Sequence, residues 1–176
     1  MTEVLIAWCD NSLLDLADPS LDLSACTLWD IGTTLDRFPR WGARGRYHYG
    51  VAAHSLFVAE LASRAGHDDP QTRLECLLHD ATEAFVGDMT SNLKARCPEF
   101  QTLEQNVRDA LARRFGLACF EPPIVKQFDL QAREIERRFL FDPIPYGMLV
   151  QASGEYGCDW TSEVMRALKE RKSGEV

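Results

Sequence analysis

The stretch Asp69-Pro-Gln-Thr-Arg-Leu-Glu-Cys-Leu-Leu-His79-Asp80-Ala-Thr-Glu83-Ala-Phe-Val-Gly87-Asp88 decides how this chain is read. Asp69 before Pro70 is a helix start. The carboxylate can accept from free amides of the first turn, and proline suits a position that needs no N–H. Behind it Leu74, Leu77, Leu78, Ala81 and Phe85 recur at helical spacing. One apolar face is therefore predicted to run to a stop at Gly87. Into that helix the chain inserts His79-Asp80, directly after Cys76-Leu77-Leu78. An unpartnered carboxylate is costly among leucines, so the pair demands counterparts elsewhere. Glu83, four residues after His79, shares its helical face. Asp88 follows Gly87, where the chain can turn back over the same face. Cys76, one turn earlier, reads as core packing.

Working outward, Val51 to Ala65 is predicted as a helix with Val51, His54, Ser55, Val58, Leu61 and Ala62 on one face and Gly66 as its end. Another follows Pro98, carries Leu103, Val107, Ala110, Leu111 and Phe115, and ends at Gly116. A further one starts after Pro122-Pro123 with Ile124, Phe128, Ala132, Ile135 and Phe139 as its stripe, and is broken by Pro143 and Pro145. A last helix runs from near Asp159 to about Arg171. Toward the N-terminus, Ser24 is expected to cap a helix with Leu28, Ile31, Gly32 and Leu35 inside. Before that, Val4–Trp8, the turn Asp10-Asn11 and Leu13, Leu14 and Leu16 suggest a short hairpin. The fold class is mostly α: one helical bundle over residues 1–176 with a small N-terminal β element.

Composition narrows the function. With 45% hydrophobic and 26% charged residues the chain reads as globular, not disordered. The net charge of −8 argues against a general nucleic-acid binder, whose affinity rests on a broad basic surface. A small anionic substrate needs only a local positive pocket. No apolar run approaches a membrane span, and Met1-Thr2-Glu3 does not open a secretory leader. The six cysteines form no C-x-x-C pair, so free thiols in a reducing cytoplasm are expected.

Four residues stand out together: His54, His79, Asp80 and Asp129. Any one alone would read as a hydrogen-bonded core residue. Jointly, on apolar helices in a chain with only four histidines, they suit a divalent Zn, Mn, Co or Ni ion. Helices crossing in a bundle commonly point such ligands inward.

The order His54…His79-Asp80…Asp129 resembles the H…HD…D signature of HD-domain metal-dependent phosphohydrolases. His79-Asp-Ala-Thr-Glu-Ala-Phe-Val-Gly-Asp88 is similar to the H-D-x-x-E-x-x-x-G-D stretch of 5′-deoxynucleotidases and short phage-type dNTP phosphohydrolases. Tyr49-Gly-Val-Ala-Ala-His-Ser55 is similar to their Y-S-V-A-x-H-S. Arg40-Trp41 resembles their substrate-contacting arginine and aromatic. The likeness covers roughly residues 12 to 140. It implies a cytoplasmic deoxynucleotide phosphohydrolase with His54, His79, Asp80 and Asp129 as metal ligands and Glu83 and Asp88 as the catalytic carboxylates. Arg40, Lys94 and Lys126 are expected on phosphate. Trp41 is expected as a wall beside the sugar, and small Ala43 leaves room for the base. Additional Mg with the phosphates and assembly as a homo-oligomer are expected, without nucleic acid or membrane as partner.

Two reactions compete. Arg40, Lys94 and Lys126, with Arg44 and Arg46 nearby, tilt the expectation toward hydrolysis of a dNTP, dATP included, to deoxynucleoside and triphosphate. The alternative is 5′-deoxynucleotidase action on dNMPs. A third reading, of another class, is a non-catalytic nucleotide sensor on the same scaffold.

Overall fold

The computed structural model describes residues 3–141 and 156–173. Strands β1 (Leu5–Ala7) and β2 (Leu13–Asp15) form the expected hairpin, antiparallel, with Ile6 opposite Leu14. Asn11, at φ 65°, turns the chain between them; asparagine tolerates the left-handed region better than most residues. Strand alternation then buries Leu14 and leaves Leu5 and Leu13 in solvent.

The long elements are helical: α1 (Leu28–Arg37), α2 (Val51–Arg64), α3 (Pro70–Leu78), α6 (Pro98–Phe115), α7 (Pro123–Phe141) and α8 (Tyr156–Ser173). Between α3 and α6 lie two single-turn helices, α4 (Glu83–Val86) and α5 (Ser91–Lys94). Their ends follow local chemistry. Asp69 caps α3 by accepting from the Thr72 amide at 2.9 Å. Gly116 closes α6 in the left-handed conformation, φ 63°.

Three expectations are corrected. The cap of α1 is Thr27, whose Oγ1 accepts from the Asp30 amide at 3.1 Å, while Ser24 bonds Asp22. Thr27 directly precedes the first helical residue, which is what a cap requires. The segment after Asp69 is not one helix: α3 ends at Leu78, and a turn through 79–82 precedes α4. The turn bonds across three residues, Ala81 N to Leu78 O at 2.9 Å and Glu83 N to Asp80 O at 3.0 Å. There the His79 ring takes the Cys76 carbonyl at 2.7 Å, a side-chain competitor for a helical acceptor. Finally, the inner face of α7 is Val125, Phe128, Asp129, Ala132, Glu136 and Leu140. Ile135 is 41% exposed and Phe139 half-buried. A stripe drawn from apolar residues alone missed the carboxylate that belongs on it. Pro143 and Pro145 lie outside the described residues.

Helix α2 is central, packing on α1, α3, α7 and α8. The main core joins Leu35, Val51, Leu74, Leu77, Leu111 and Trp160 among others. A smaller cluster of Val58, Ala62, Cys76, Val125, Phe128 and Ala132 clamps α7 onto α2 and α3. That clamp brings Asp129 to His79. Trp160 is fully buried, and its Nε1–H donates to the Leu77 carbonyl at 2.7 Å, two residues before His79. Trp160→Ala is expected to cost about 3–5 kcal/mol of folding stability, read by urea denaturation; a loss below about 1 kcal/mol would show that α8 does not support α3. Among the described residues no helix is long and apolar enough to cross a membrane.

Candidate metal centre

His54 lies on the inner face of α2, wholly buried. His79 and Asp80 follow the end of α3, and Asp129 comes from the inner face of α7. His54 Nε2 is 3.2 Å from His79 Nε2, 3.5 Å from Asp80 Oδ2 and 3.2 Å from Asp129 Oδ1. His79 Nε2 is 3.3 Å from Asp80 Oδ2 and 4.0 Å from Asp129 Oδ1. An ion about 2.1 Å from each ligand would separate neighbouring ligands by about 3.0 Å in an octahedron and about 3.4 Å in a tetrahedron. The four groups stand close to that spacing. His54, His79 and Asp129 form a buried group able to hold a metal ion, and Asp80 stands beside them.

The ring tautomers point the same way. His54 Nδ1–H donates to Glu136 Oε1 at 2.5 Å, and His79 Nδ1–H donates to the Cys76 carbonyl at 2.7 Å. Carboxylate and carbonyl can only accept, so both Nδ1 atoms carry the proton. Both Nε2 lone pairs then face each other at 3.2 Å. That arrangement is unfavourable unless an electron-pair acceptor, a proton or a metal ion, sits between them.

The nearby carboxyls divide by their surroundings. Burial pushes Asp80 up, but the His79 and Arg40 charges outweigh it and hold the carboxyl well below its usual range. Burial likewise opposes ionisation of Asp129, and the His54 ring beside it outweighs burial and lowers the value. Glu83 goes the other way: burial, then the charges of Asp80 and Asp88, raise it well above the ordinary carboxylate range. Its Oε2 is buried without a hydrogen-bond partner among the described residues. Asp88 is also raised, chiefly by burial, with Arg40 opposing. A buried salt bridge from Glu83 to an arginine, the structural alternative for this residue, is not formed among the described residues. Arg40 instead bonds Asp80 Oδ2 at 2.9 Å and places Nε 3.4 Å from Glu136 Oε2.

A cavity of about 320 Å³ opens beside this group, with His79, Asp80, Glu83, Asp88 and Asp129 on its wall. His54 lies behind them. Arg40, Trp41, Lys94 and Lys126 also line it. Their charges are engaged: Lys94 Nζ is 2.5 Å from Glu104, and Lys126 Nζ is 2.9 Å from Glu121 and 3.0 Å from Asp129. Ala43 is exposed and off the cavity wall, and Arg44 and Arg46 are exposed as well. Trp41, Gly42 and Ala43 all take positive φ, from 58° to 60°. This left-handed turn is strained at its two non-glycine positions. It seats the Trp41 ring edge-on to Phe141, 5.6 Å between centroids.

Three residues of this region escaped the sequence reading. Arg108 and Arg133 line the cavity. Arg133, one turn beyond Asp129, forms no salt bridge among the described residues. Glu136, 3% exposed, stands behind His54. Its signal was available: it follows Asp129 by seven residues, two turns along the same face.

No family model matches this chain. It is similar to an uncharacterized protein of Rhodobacter capsulatus, 38% identical over 119 residues, covering 65% of this chain and 59% of that protein. It is also similar to the uncharacterized protein YfdR of Escherichia coli, 29% identical over 111 residues, covering 63% of this chain and 59% of that protein. The chain thus spans about three fifths of the length of the curated relatives it matches.

Proposed function

We propose that this chain is a divalent-metal-dependent phosphohydrolase that removes phosphate from a deoxynucleoside 5′-monophosphate. One observation carries the reading: two histidines, their Nδ1 atoms bonded to a carboxylate and a carbonyl, converge with two carboxylates beside a cavity whose wall also holds the buried carboxyl of Glu83. An ion held by His54, His79, Asp80 and Asp129 supplies Lewis acidity toward a phosphoryl oxygen. Burial and the charges of Asp80 and Asp88 raise Glu83 well above the ordinary carboxylate range, so it suits donation to the departing 5′ oxygen. Asp88 is less strongly raised and suits acceptance of a proton from the attacking water. Among the described residues Arg133 is the cavity cation left to meet phosphate oxygens.

Charge favours one of the two reactions. Five basic and six acidic side chains line the cavity. A divalent ion then leaves a small positive excess, which matches the roughly two charges of a phosphomonoester. A triphosphate spreads about four charges over a longer chain and calls for several free donors. Arg40, Lys94 and Lys126, expected to serve it, are each paired with carboxylates. The triphosphate reading survives as the second one, because the Lys94 and Lys126 side chains are 27% and 45% exposed and able to swing.

The test is incubation with each dNMP and each dNTP plus Mn²⁺, Co²⁺ or Zn²⁺, with products resolved by ion exchange. Orthophosphate from dNMPs is expected. Inorganic triphosphate from dNTPs would move the assignment to triphosphohydrolysis. Nucleotide binding without turnover would make the chain a sensor. Trp41, beside the sugar, should favour deoxyribose over ribose by up to about 10²-fold. Trp41→Ala should narrow that ratio, read from kcat/KM on dAMP and AMP. Equal rates on both in the unmodified protein would remove Trp41 from the sugar site.

A further inference from the structure

We propose that Glu136 is a positioning residue of the metal centre, holding His54 in its ligating tautomer and drawing the Arg40 charge away from Asp80. The inference rests on the metal reading of the site. Glu136 is 3% exposed on the inner face of α7, two turns beyond Asp129. A glutamate buried this deeply needs partners, and it has three. Its Oε1 accepts from His54 Nδ1–H at 2.5 Å and from the Tyr49 hydroxyl at 3.1 Å. Its Oε2 stands 3.4 Å from Arg40 Nε.

Two consequences follow. A carboxylate behind a ligating imidazole fixes the ring and makes its free nitrogen more basic, hence a better donor to a cation. The second concerns Arg40, whose guanidinium touches Asp80 Oδ2 at 2.9 Å. A cation so close to a ligand opposes the arrival of a second cation. The Glu136 charge offsets it at another nitrogen, Nε, of the same guanidinium. Helix α7 thus contributes twice to the centre: Asp129 as a ligand, Glu136 as the group that prepares His54 and Asp80.

The test uses the full chain, stripped of metal by chelator, with Co²⁺ alone as probe. Affinity is read by calorimetric titration and ligand geometry by the visible absorption of the bound ion. Glu136→Gln keeps an acceptor for His54 and Tyr49 and removes only the charge. It is expected to weaken Co²⁺ binding about 10–100-fold, with an altered spectrum and a metal-free melt that is lower than that of the unmodified chain yet still cooperative. Glu136→Asp keeps the charge but withdraws it from His54, so a smaller loss is expected; it also serves if the glutamine variant does not fold. Unchanged affinity in either folded variant, with binding abolished in Asp129→Ala, overturns the role of Glu136 alone. Absence of Co²⁺ binding by the unmodified chain overturns the metal reading with it.

Discussion

Asp129→Ala is expected to yield a folded chain that no longer retains divalent metal. Asp129 Oδ1 lies 3.2 Å from His54 Nε2 and 4.0 Å from His79 Nε2, so its loss removes one side of the coordination shell. Disturbing an outer partner typically costs 10–100-fold in affinity, and loss of a ligand should cost more than about 100-fold. The fold should survive, because Phe128 and Ala132 still clamp α7 and Lys126 keeps Glu121 at 2.9 Å. Some stability is forfeited. The Asp129 carboxyl is held below its ordinary 3.8, so its contribution is present above that value and lost as pH falls through the lowered one. At neutral pH the metal-free variant should therefore melt somewhat lower, yet cooperatively. Elemental analysis after gel filtration, with circular dichroism, reads both quantities. Stoichiometric metal in a folded Asp129→Ala protein would take this residue out of the shell.

Glu83→Gln should separate chemistry from metal binding. The variant keeps shape and hydrogen-bonding capacity but cannot exchange a proton, and loss of a positioned acid or base costs about 10²–10⁴-fold in rate. A fall in kcat of that order, with metal content unchanged, is expected on dNMP substrates. Stability should move the opposite way. The folded carboxyl is raised well above 4.5 by burial and by Asp80 and Asp88. Its contribution is therefore full below 4.5 and lost as pH rises through the folded value. Near neutral pH the raised carboxyl of Glu83 therefore works against the fold, and glutamine removes that burden. In chelator, Glu83→Gln should melt higher than the unmodified chain at neutral pH, with the difference closing near pH 4.5. Near-normal turnover would assign Glu83 to structure; an unchanged melting profile would show that its carboxyl is not strained in the fold.

The helices were legible because their signals are local. Pro98 and Gly116 bound α6 as read, and the stripe of Leu103, Val107, Leu111 and Phe115 turns inward. The turn at 79–82 was not legible, because Leu77, Leu78, Ala81 and Phe85 keep helical spacing through it. What breaks the helix there accompanies a hydrogen bond from His79 to a carbonyl, and periodicity carries no trace of that. The missed face of α7 has a related cause. Glu136 occupies an apolar register, and a residue type that is almost never buried unpaired draws no attention until its partners are known.

The sequence by itself determined the long helices, apart from the break after Leu78, and which residues have the donor chemistry for a divalent ion: His54, His79, Asp80 and Asp129. Those are properties of residue type and spacing. Only the tertiary structure decided which charge answers which. Arg40, read as a phosphate contact, lies against Asp80 and Glu136; Lys94 is held by Glu104; Arg133 is left to the cavity. Each of these pairings with a remote element depends on helix packing, and electrostatic interaction falls steeply with distance and exposure. Periodicity places a side chain on a face, but the packing of that face against its neighbours places the charge.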